Sequence, residues 1–231
     1  MTVLISGATK GIGKAIALAC ASKGFDLALG ARNQSDLIEF KNEIQSLYPK
    51  VKISVHAVDF SNILQIEQFV NQTLAEHKKI DVLINNVGAY KEDNVTTSIS
   101  LLDEMLNINL KSAYYLSKLI IPQLKEGDSI INICSILSKN VRKEAASYTI
   151  SKHALYGFNN ALREELRDKK IKVTAILPGS VYTPSWNGIP VNSEELIQAE
   201  DVAKAVLFAI ECSPNAVAEE IIIRPITFDN P

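Results

Sequence analysis

Three tyrosines in this chain each precede a lysine by four residues, a spacing that stacks the two side chains on one face of a helix. A phenol beside an ammonium group could exchange a proton with a substrate carbonyl. The same spacing is also found in pairs that do nothing more than share a helix face, so it does not select one copy by itself. The three pairs are Tyr48 with Lys52, Tyr114 with Lys118, and Tyr148 with Lys152.

A glycine-rich segment, SGATKGIG, covers residues 6–13 and lies between an apolar stretch and an amphipathic one. Its glycines are Gly7, Gly11 and Gly13, and the common GxGxxG fingerprint fails because Ile16 stands where its last glycine is needed. The longer GxxxGxG turn has the same physics, since glycines let backbone N–H groups approach a pyrophosphate at a helix N-terminus. This favours a nucleotide site; a glycine-rich turn without a ligand is the alternative.

The second apolar segment ends LGARN, and Ala31 and Arg32 stand where a protein that binds NAD usually has an acid for the ribose hydroxyls. Arg32 can pair with a 2′-phosphate, and Lys10 in the glycine turn could add a second positive charge. We therefore expect NADP(H) as the preferred cofactor, with NAD(H) as the alternative if both cations are solvated surface residues. Asp59, after the third apolar segment, could accept a hydrogen bond from the adenine amino group or cap the next helix.

Short apolar segments alternate with longer amphipathic ones along the whole chain, without a linker or repeat. The pattern predicts strands at 2–6, 26–31, 52–58, 81–86, 129–134, 172–177 and 220–224. It predicts helices at 14–24, 35–48, 64–77, 100–119, 147–168 and about 200–211. We expect an α/β fold: a single domain over 1–231, with a Rossmann-type, doubly wound parallel sheet of about seven strands and helices on both faces. Ligands of such sheets bind at the carboxyl ends of the strands.

The overall composition excludes several classes of protein. A net charge of −2 and 22% charged residues give no support to a nucleic-acid or anionic-membrane partner. Cys20, Cys134 and Cys212 are scattered and lack CxxC spacing, so neither a disulfide framework nor a metal site is expected. No signal-peptide pattern and no apolar run of about 18 residues is present, which favours a soluble, cytoplasmic protein.

Six motifs, in order and on the predicted elements, resemble the short-chain dehydrogenase/reductase family over nearly the whole chain. Each motif is weak alone, but the ordered set is specific. The motifs are SGATKGIG with Ser6 for the family's threonine, NNVG (85–88) for NNAG, Asn109 in NINL, Ser135 in IINICS, Tyr148–Lys152 for YxxxK, and PGSVYT (178–183).

The resemblance selects one of the three tyrosines. The family has a serine thirteen residues ahead of its tyrosine, at a strand end, and this offset from Tyr148 reaches Ser135. From Tyr114 and Tyr48 it reaches Leu101 and Ser35, which lie near the start of predicted helices rather than at a strand end.

The resemblance implies an enzyme that interconverts a carbonyl and a secondary alcohol on a small substrate. Ser135 would hold the carbonyl oxygen, Tyr148 would donate the proton, and NADPH would supply hydride. Lys152 would bind the nicotinamide ribose and lower the tyrosine pKa from its usual value near 10, since a nearby positive charge favours phenolate. Asn109 would hold a water that links Lys152 to solvent.

The residues expected to bind the cofactor come from the glycine turn, the strand ends and the PGSVYT motif. They are Gly7, Thr9, Lys10, Gly11, Ile12, Gly13, Arg32, Asp59, Asn85, Gly88, Tyr148, Lys152, Pro178, Gly179, Val181 and Thr183.

The expected substrate residues are Ser135, Tyr148 and Trp186, the last in a short lid over about 183–200. Trp186 is either a hydrophobic anchor of the lid or a face on which a planar substrate stacks. PGSVYTPSW and EEIIIRP (219–225) are similar to bacterial sepiapterin-reductase-like members, which makes a pterin side-chain carbonyl one alternative substrate. A 3-oxoacyl substrate and a non-enzymatic dinucleotide sensor are further alternatives. The resemblance also implies a homodimer or homotetramer built on helices 100–119 and 147–168.

Overall fold

The computed structural model describes residues 1–96 and 99–227. Its main feature is a seven-stranded sheet in the order β3-β2-β1-β4-β5-β6-β9, with every neighbouring pair parallel. The order reverses between β1 and β4, where a doubly wound sheet opens a crevice at its carboxyl edge. The seven strands are β1 (Thr2–Ser6), β2 (Asp26–Ala31), β3 (Ile53–Ala57), β4 (Val82–Asn85), β5 (Ser129–Ile133), β6 (Lys172–Pro178) and β9 (Glu220–Ile223).

Helices cover both faces of this sheet, and their apolar residues fall into two main cores. One core joins the sheet to α1, α2 and α7; the other joins it to α3, α5 and α6. The helices are α1 (Gly11–Ser22), α2 (Gln34–Leu47), α3 (Ile63–His77), α4 (Ile99–Leu106), α5 (Ser112–Ile120), α6 (Ala146–Leu166) and α7 (Ala199–Glu211).

The residues of β1 show why the strands are almost continuously apolar. Val3 and Ile5 pack into the core beside α1, whereas Leu4 points the opposite way into the core beside α3. Successive side chains of a strand alternate between faces, so a sheet covered on both sides needs apolar residues at every position. The predicted Rossmann-type α/β fold is confirmed.

Some predicted boundaries differ from the structure. The first helix begins at Gly11 rather than at residue 14, because the end of the glycine turn already has helical geometry, and it ends before Gly24, whose φ is +74°. Asp59 does not cap α3; the Asn62 side chain does, accepting hydrogen bonds from the N–H groups of Leu64 and Gln65.

The predicted helix 100–119 is divided by a π-helical segment, Asn107–Lys111, between α4 and α5. Such a segment widens one turn and is common at functional sites. Here it contains Asn109, which is fully buried.

A second, two-stranded sheet lies outside the predicted elements. It pairs β7 (Val181–Tyr182) with β8 (Ile197–Gln198) and so closes the base of the predicted lid. Two-residue strands are too short to show an alternating pattern in the sequence.

No helix in the described part of the chain is long and apolar enough to cross a membrane. Within the same residues, no three His, Cys, Asp or Glu side chains come together as a metal site would require.

Candidate active site

Ser135 lies two residues beyond β5, at the carboxyl edge of the sheet, and is held by a short 3₁₀ turn. Its Oγ accepts a hydrogen bond from the Leu137 N–H at 3.1 Å, and its own N–H donates to Ser138 Oγ at 3.2 Å. Because Oγ accepts in this contact, the Ser135 hydroxyl can still donate its hydrogen, and its side chain also lies within hydrogen-bonding reach of Tyr148. The turn therefore orients a donor towards the crevice.

Lys152, in the second turn of α6, is only 4% exposed. Its Nζ donates to the Ile133 carbonyl at 2.9 Å and lies 5.8 Å from the centroid of the Tyr148 ring. A Cβ on Gly88 would lie 3.4 Å from this Nζ, so the glycine keeps the space beside the ammonium open. An ammonium has three donors, which leaves Lys152 able to bind hydroxyl groups that enter this space.

The protonation of the Tyr148–Lys152 pair differs from the expectation. Burial raises the pKa of Tyr148 to about 12, an effect that the Ser135 side chain partly opposes. Burial also lowers the pKa of Lys152 to about 8. The predicted lowering of the tyrosine pKa by Lys152 is therefore wrong for the protein alone, because removal from water disfavours the charged forms of both groups.

Asn109 connects the loop after β4 to α6. Its Oδ1 accepts from the Ala89 N–H at 2.8 Å, and its Nδ2 donates to the Ala89 carbonyl at 3.0 Å and to Ser151 Oγ at 2.8 Å. Ser151 Oγ in turn donates to the Tyr148 carbonyl at 2.7 Å. The asparagine therefore clamps loop and helix together; its predicted role in holding a water stays a prediction.

The two asparagines of NNVG point in different directions. Asn85 turns into the core, where its Nδ2 donates to Ser117 Oγ at 3.0 Å and Asn132 Oδ1 at 2.8 Å. Asn86 reaches the glycine turn instead, and its Nδ2 donates at 3.0 Å to the carbonyls of Ser6 and Gly7. These contacts do not support the predicted cofactor contact of the Asn85 side chain. Sequence reasoning missed Asn86, although it stands in the same motif.

The glycine turn packs closely against the start of α1. Gly7 and Gly11 have φ of +69° and +51°, a region that favours glycine. A Cβ on Gly13 would lie 2.2 Å from the Gly7 carbonyl oxygen, so turn and helix can approach this closely only with glycine there. The side chain of Lys10, the cap residue of α1, accepts no hydrogen bond from the first turn. The positive end of α1 can therefore receive an anion.

The residues predicted to bind the 2′-phosphate and the adenine lie in the glycine turn and just after β2 and β3. Arg32 is exposed and, among the described residues, forms no ion pair, whereas Lys10 Nζ lies 3.0 Å from Asp36 Oδ2. Asp59 accepts from the N–H and the Oγ of Ser61, at 2.9 and 2.7 Å. These bonds lower the pKa of Asp59, and Arg32 lowers it further, which places the guanidinium near this carboxylate.

The other predicted cofactor residues surround the same edge. Thr9 is partly buried in the turn, and Ile12 packs against the core beside α1. Pro178 ends β6, and the Gly179 N–H donates to the Ile223 carbonyl at 2.8 Å. Thr183 lies close to the glycine turn, since a Cβ on Gly11 would be 3.0 Å from its Cγ2.

Trp186 holds the lid to β7. Its indole Nε1 donates to the Val181 carbonyl at 2.9 Å, and its backbone N–H donates to the Thr183 carbonyl at 3.0 Å. These contacts favour the anchor interpretation. A groove of about 330 Å³ runs between α1, the lid and α7, and neither Ser135 nor Tyr148 lines it.

The other two tyrosine–lysine pairs lie elsewhere. Tyr48 is the C-cap residue of α2, and Lys52 comes just before β3, so the two do not share a helix. Tyr114 on α5 is exposed, and its ring contacts those of Tyr115 and Phe158.

A Rossmann-type sheet with a glycine turn at its first crossover defines a dinucleotide-binding class of protein. The family model for short chain dehydrogenases matches residues 1–193, and the chain belongs to this family.

Two curated relatives are uncharacterized oxidoreductases of staphylococci. The one from Staphylococcus saprophyticus is 28% identical over 226 residues, which are 96% of each chain. The one from Staphylococcus aureus strain USA300 is 28% identical over 235 residues, covering 98% of this chain and 100% of the relative.

Two solved structures have a similar fold. An alcohol dehydrogenase from the archaeon Thermococcus sibiricus, complexed with 5-hydroxy-NADP, is 26% identical with a TM-score of 0.91, covering 97% of this chain and 96% of its own. A single-residue variant of the actinorhodin polyketide ketoreductase, solved with NADPH, is 26% identical with a TM-score of 0.85, covering 96% of this chain and 94% of its own.

Proposed function

We propose that this protein is an NADP(H)-dependent oxidoreductase that interconverts a carbonyl and a secondary alcohol on a small substrate. The observation that carries the proposal is the grouping of Ser135, Tyr148 and the buried Lys152 at the carboxyl edge of the sheet, beside the open space at Gly88. The two hydroxyls provide donors for one oxygen, and the lysine provides donors for a neighbouring hydroxyl.

The dinucleotide would lie across the carboxyl edge of the sheet. The positive end of α1 would hold the pyrophosphate, and Arg32 with Lys10 would hold the 2′-phosphate. Lys152 would bind the hydroxyls of the nicotinamide ribose in the space that Gly88 keeps open. When bound, the cofactor supplies or accepts the hydride of the reaction.

The protein's own part in the reaction is to hold and protonate the carbonyl oxygen. Ser135 donates its hydroxyl hydrogen to that oxygen, which polarises the carbonyl. Tyr148 then donates its proton as negative charge develops on the oxygen. In the cofactor-free protein the pKa of about 12 keeps Tyr148 protonated, as a proton donor must be, and the hydrogen bond with the Ser135 side chain favours the phenolate that remains after transfer.

The similar structures agree with this assignment. One is an alcohol dehydrogenase solved with an NADP derivative, and another is a ketoreductase solved with NADPH. The lid contacts of Trp186 favour its role as an anchor of the lid. They therefore do not favour a pterin, which would stack on this ring, over other carbonyl substrates. We propose α4–α5 and α6 as the surface of a homodimer or homotetramer.

The proposal is tested by following NADPH oxidation with a panel of carbonyls: sepiapterin, diketones, a sugar ketone and a 3-oxoacyl thioester. Tyr148→Phe should lower turnover by about a hundredfold or more, the usual contribution of a general acid. Tyr114→Phe is the matched control, since it removes the same hydroxyl from another tyrosine of the same spacing, and it should keep wild-type turnover.

Two outcomes would contradict the proposal. If Tyr148→Phe kept most of the wild-type turnover, the assignment of the acid would be wrong. If the protein bound NADPH but turned over none of these carbonyls, a non-enzymatic dinucleotide sensor would be the better description.

A further inference from the structure

The helix that contains Tyr148 begins without a cap of its own. Its N-cap position is Ala145, which has no side-chain acceptor for the first amide groups of α6. The first N–H groups of a helix have no partner within the helix, and an uncapped end frays. Tyr148 lies in this first turn, where fraying would move it directly.

Asp93, from the loop after β4, provides the missing acceptor across 54 positions of sequence. Its Oδ1 accepts from the Ser147 N–H at 3.0 Å, and its Oδ2 accepts from the Ser147 hydroxyl. The backbone adds two further bonds, since the Asp93 N–H donates to the Glu144 carbonyl at 3.0 Å and the Ala146 N–H donates to the Asp93 carbonyl at 3.4 Å. Loop and helix end are therefore joined by four hydrogen bonds.

Burial and charge distinguish this contact from an ordinary surface contact. Asp93 is 9% exposed, and no lysine or arginine among the described residues forms an ion pair with it. A buried carboxylate needs hydrogen bonds or an opposite charge. Here the amide and hydroxyl of Ser147 supply the hydrogen bonds, and the positive end of α6 supplies the charge.

The same loop contacts the Tyr148 region at two further points. Ala89 is bound by Asn109, which also bonds Ser151 on α6. Tyr90 packs the edge of its ring against the Tyr148 ring, with centroids 5.0 Å apart. Asp93 thus belongs to a loop that contacts the first turns of α6.

We propose that Asp93 is a positioning residue for Tyr148, which it acts on by capping α6 through Ser147. The inference rests on the proposed function, in which Tyr148 is the proton donor. Without the cap the first turn of α6 loosens and the phenol moves relative to Ser135. A displacement of about 1 Å can cost a hundredfold in rate.

The test compares Asp93→Ala, Asp93→Asn and the matched control Asp128→Ala. Asp128 is also buried, 6% exposed, and accepts from a backbone N–H and a lysine, but it precedes β5 at the opposite edge of the sheet. Asp93→Ala should lower kcat by about ten- to a hundredfold with little change in the Kd for NADPH. Asp93→Asn keeps an oxygen that accepts from the Ser147 N–H and should recover most of this loss.

Two readouts separate positioning from a loss of stability. Amide hydrogen exchange at 146–149 should become faster in Asp93→Ala and stay unchanged in Asp128→Ala. The deuterium isotope effect with the deuterated nicotinamide should rise in Asp93→Ala, because hydride transfer then limits turnover more strongly. If Asp93→Ala does not fold, Ser147→Ala removes only the hydroxyl bond, and its kcat should fall by about fivefold.

The result that would overturn the inference is a kcat in Asp93→Ala, or in Ser147→Ala where the first does not fold, equal to that of the wild type. An equal loss in Asp93→Ala and Asp128→Ala would also overturn it. The Tyr148→Phe variant distinguishes a failure of this inference from a failure of the proposed function. If Tyr148→Phe is inactive while Asp93→Ala is fully active, only the positioning inference is wrong. If Tyr148→Phe is active, the proposed function itself is wrong.

Discussion

Replacing Lys152 with methionine should make the cofactor-free protein more stable at neutral pH. The ammonium is buried, forms one hydrogen bond with the protein and has its pKa lowered from 10.5 to about 8. One pKa unit corresponds to 1.36 kcal/mol, so the protonated lysine costs about 3 kcal/mol of folding free energy below pH 8. Losing the hydrogen bond to the Ile133 carbonyl costs about 1 kcal/mol, so Lys152→Met should gain about 2 kcal/mol in the free energy of unfolding.

The pH dependence has a definite sign. Below pH 8 the lysine is protonated in both states, and the full cost of burying its charge is present. Between pH 8 and 10.5 the folded state has lost the proton while the unfolded state still holds it. The unfolded state then binds more protons, so wild-type stability rises with pH across this window. The advantage of Lys152→Met should shrink over the same range.

Thermal unfolding of the cofactor-free wild type and Lys152→Met between pH 6 and pH 10 measures this difference in stability directly. A gain of about 2 kcal/mol raises Tm by roughly 4–8 °C for a domain of this size. Lys204→Met is the matched control, because the Lys204 side chain is 75% exposed and its replacement should leave the dependence of Tm on pH unchanged. A Lys152→Met protein that is less stable at pH 7, or a difference that does not vary with pH, would refute the reasoning.

Two further predictions concern the dinucleotide site. In fluorescence titrations, Arg32→Ala should raise the Kd for NADPH by about tenfold or more, because it removes a charge-assisted hydrogen bond to the 2′-phosphate. The Kd for NADH, which has no 2′-phosphate, should stay nearly unchanged. An equal loss of affinity for both cofactors would contradict the 2′-phosphate assignment. Gly13→Ala should destabilise the protein by about 1–3 kcal/mol in urea unfolding, because its Cβ would lie 2.2 Å from the Gly7 carbonyl oxygen. Gly157→Ala, where a Cβ meets nothing within 4 Å, is the control and should be stabilising.

The sheet could be predicted from the sequence because its signal is local and strong. The predicted strands 2–6 and 26–31 match β1 and β2 residue for residue. Both are buried on two faces, so each shows a nearly continuous run of apolar or small residues. The structure also separates Tyr148 from the other two tyrosines, since Tyr48 ends a helix and Tyr114 is exposed.

The parts that could not be predicted depend on contacts between distant residues. The π-helical segment at Asn109 and the opposite orientations of Asn85 and Asn86 reflect packing that the chain shows only when folded. The cap by Asp93 joins residues 54 positions apart, and a lone aspartate in a loop carries no signal for it. The predicted direction of the Tyr148 pKa shift is wrong because spacing indicates a neighbouring charge but not the extent of burial.

The contacts that hold the candidate site share one property: they leave its reactive atoms available. Ser135 is held through a hydrogen bond that its Oγ accepts from the backbone, which leaves the hydroxyl able to donate. Tyr148 is held through its backbone carbonyl by Ser151 and through the helix end by Asp93, while its hydroxyl interacts with the Ser135 side chain. Lys152 is held by one carbonyl, which leaves two of its three donors for a ligand. Because the Lys152 ammonium has been removed from water without a full set of partners, the fold carries a cost that a bound ligand can relieve, and the stability of Lys152→Met measures that cost.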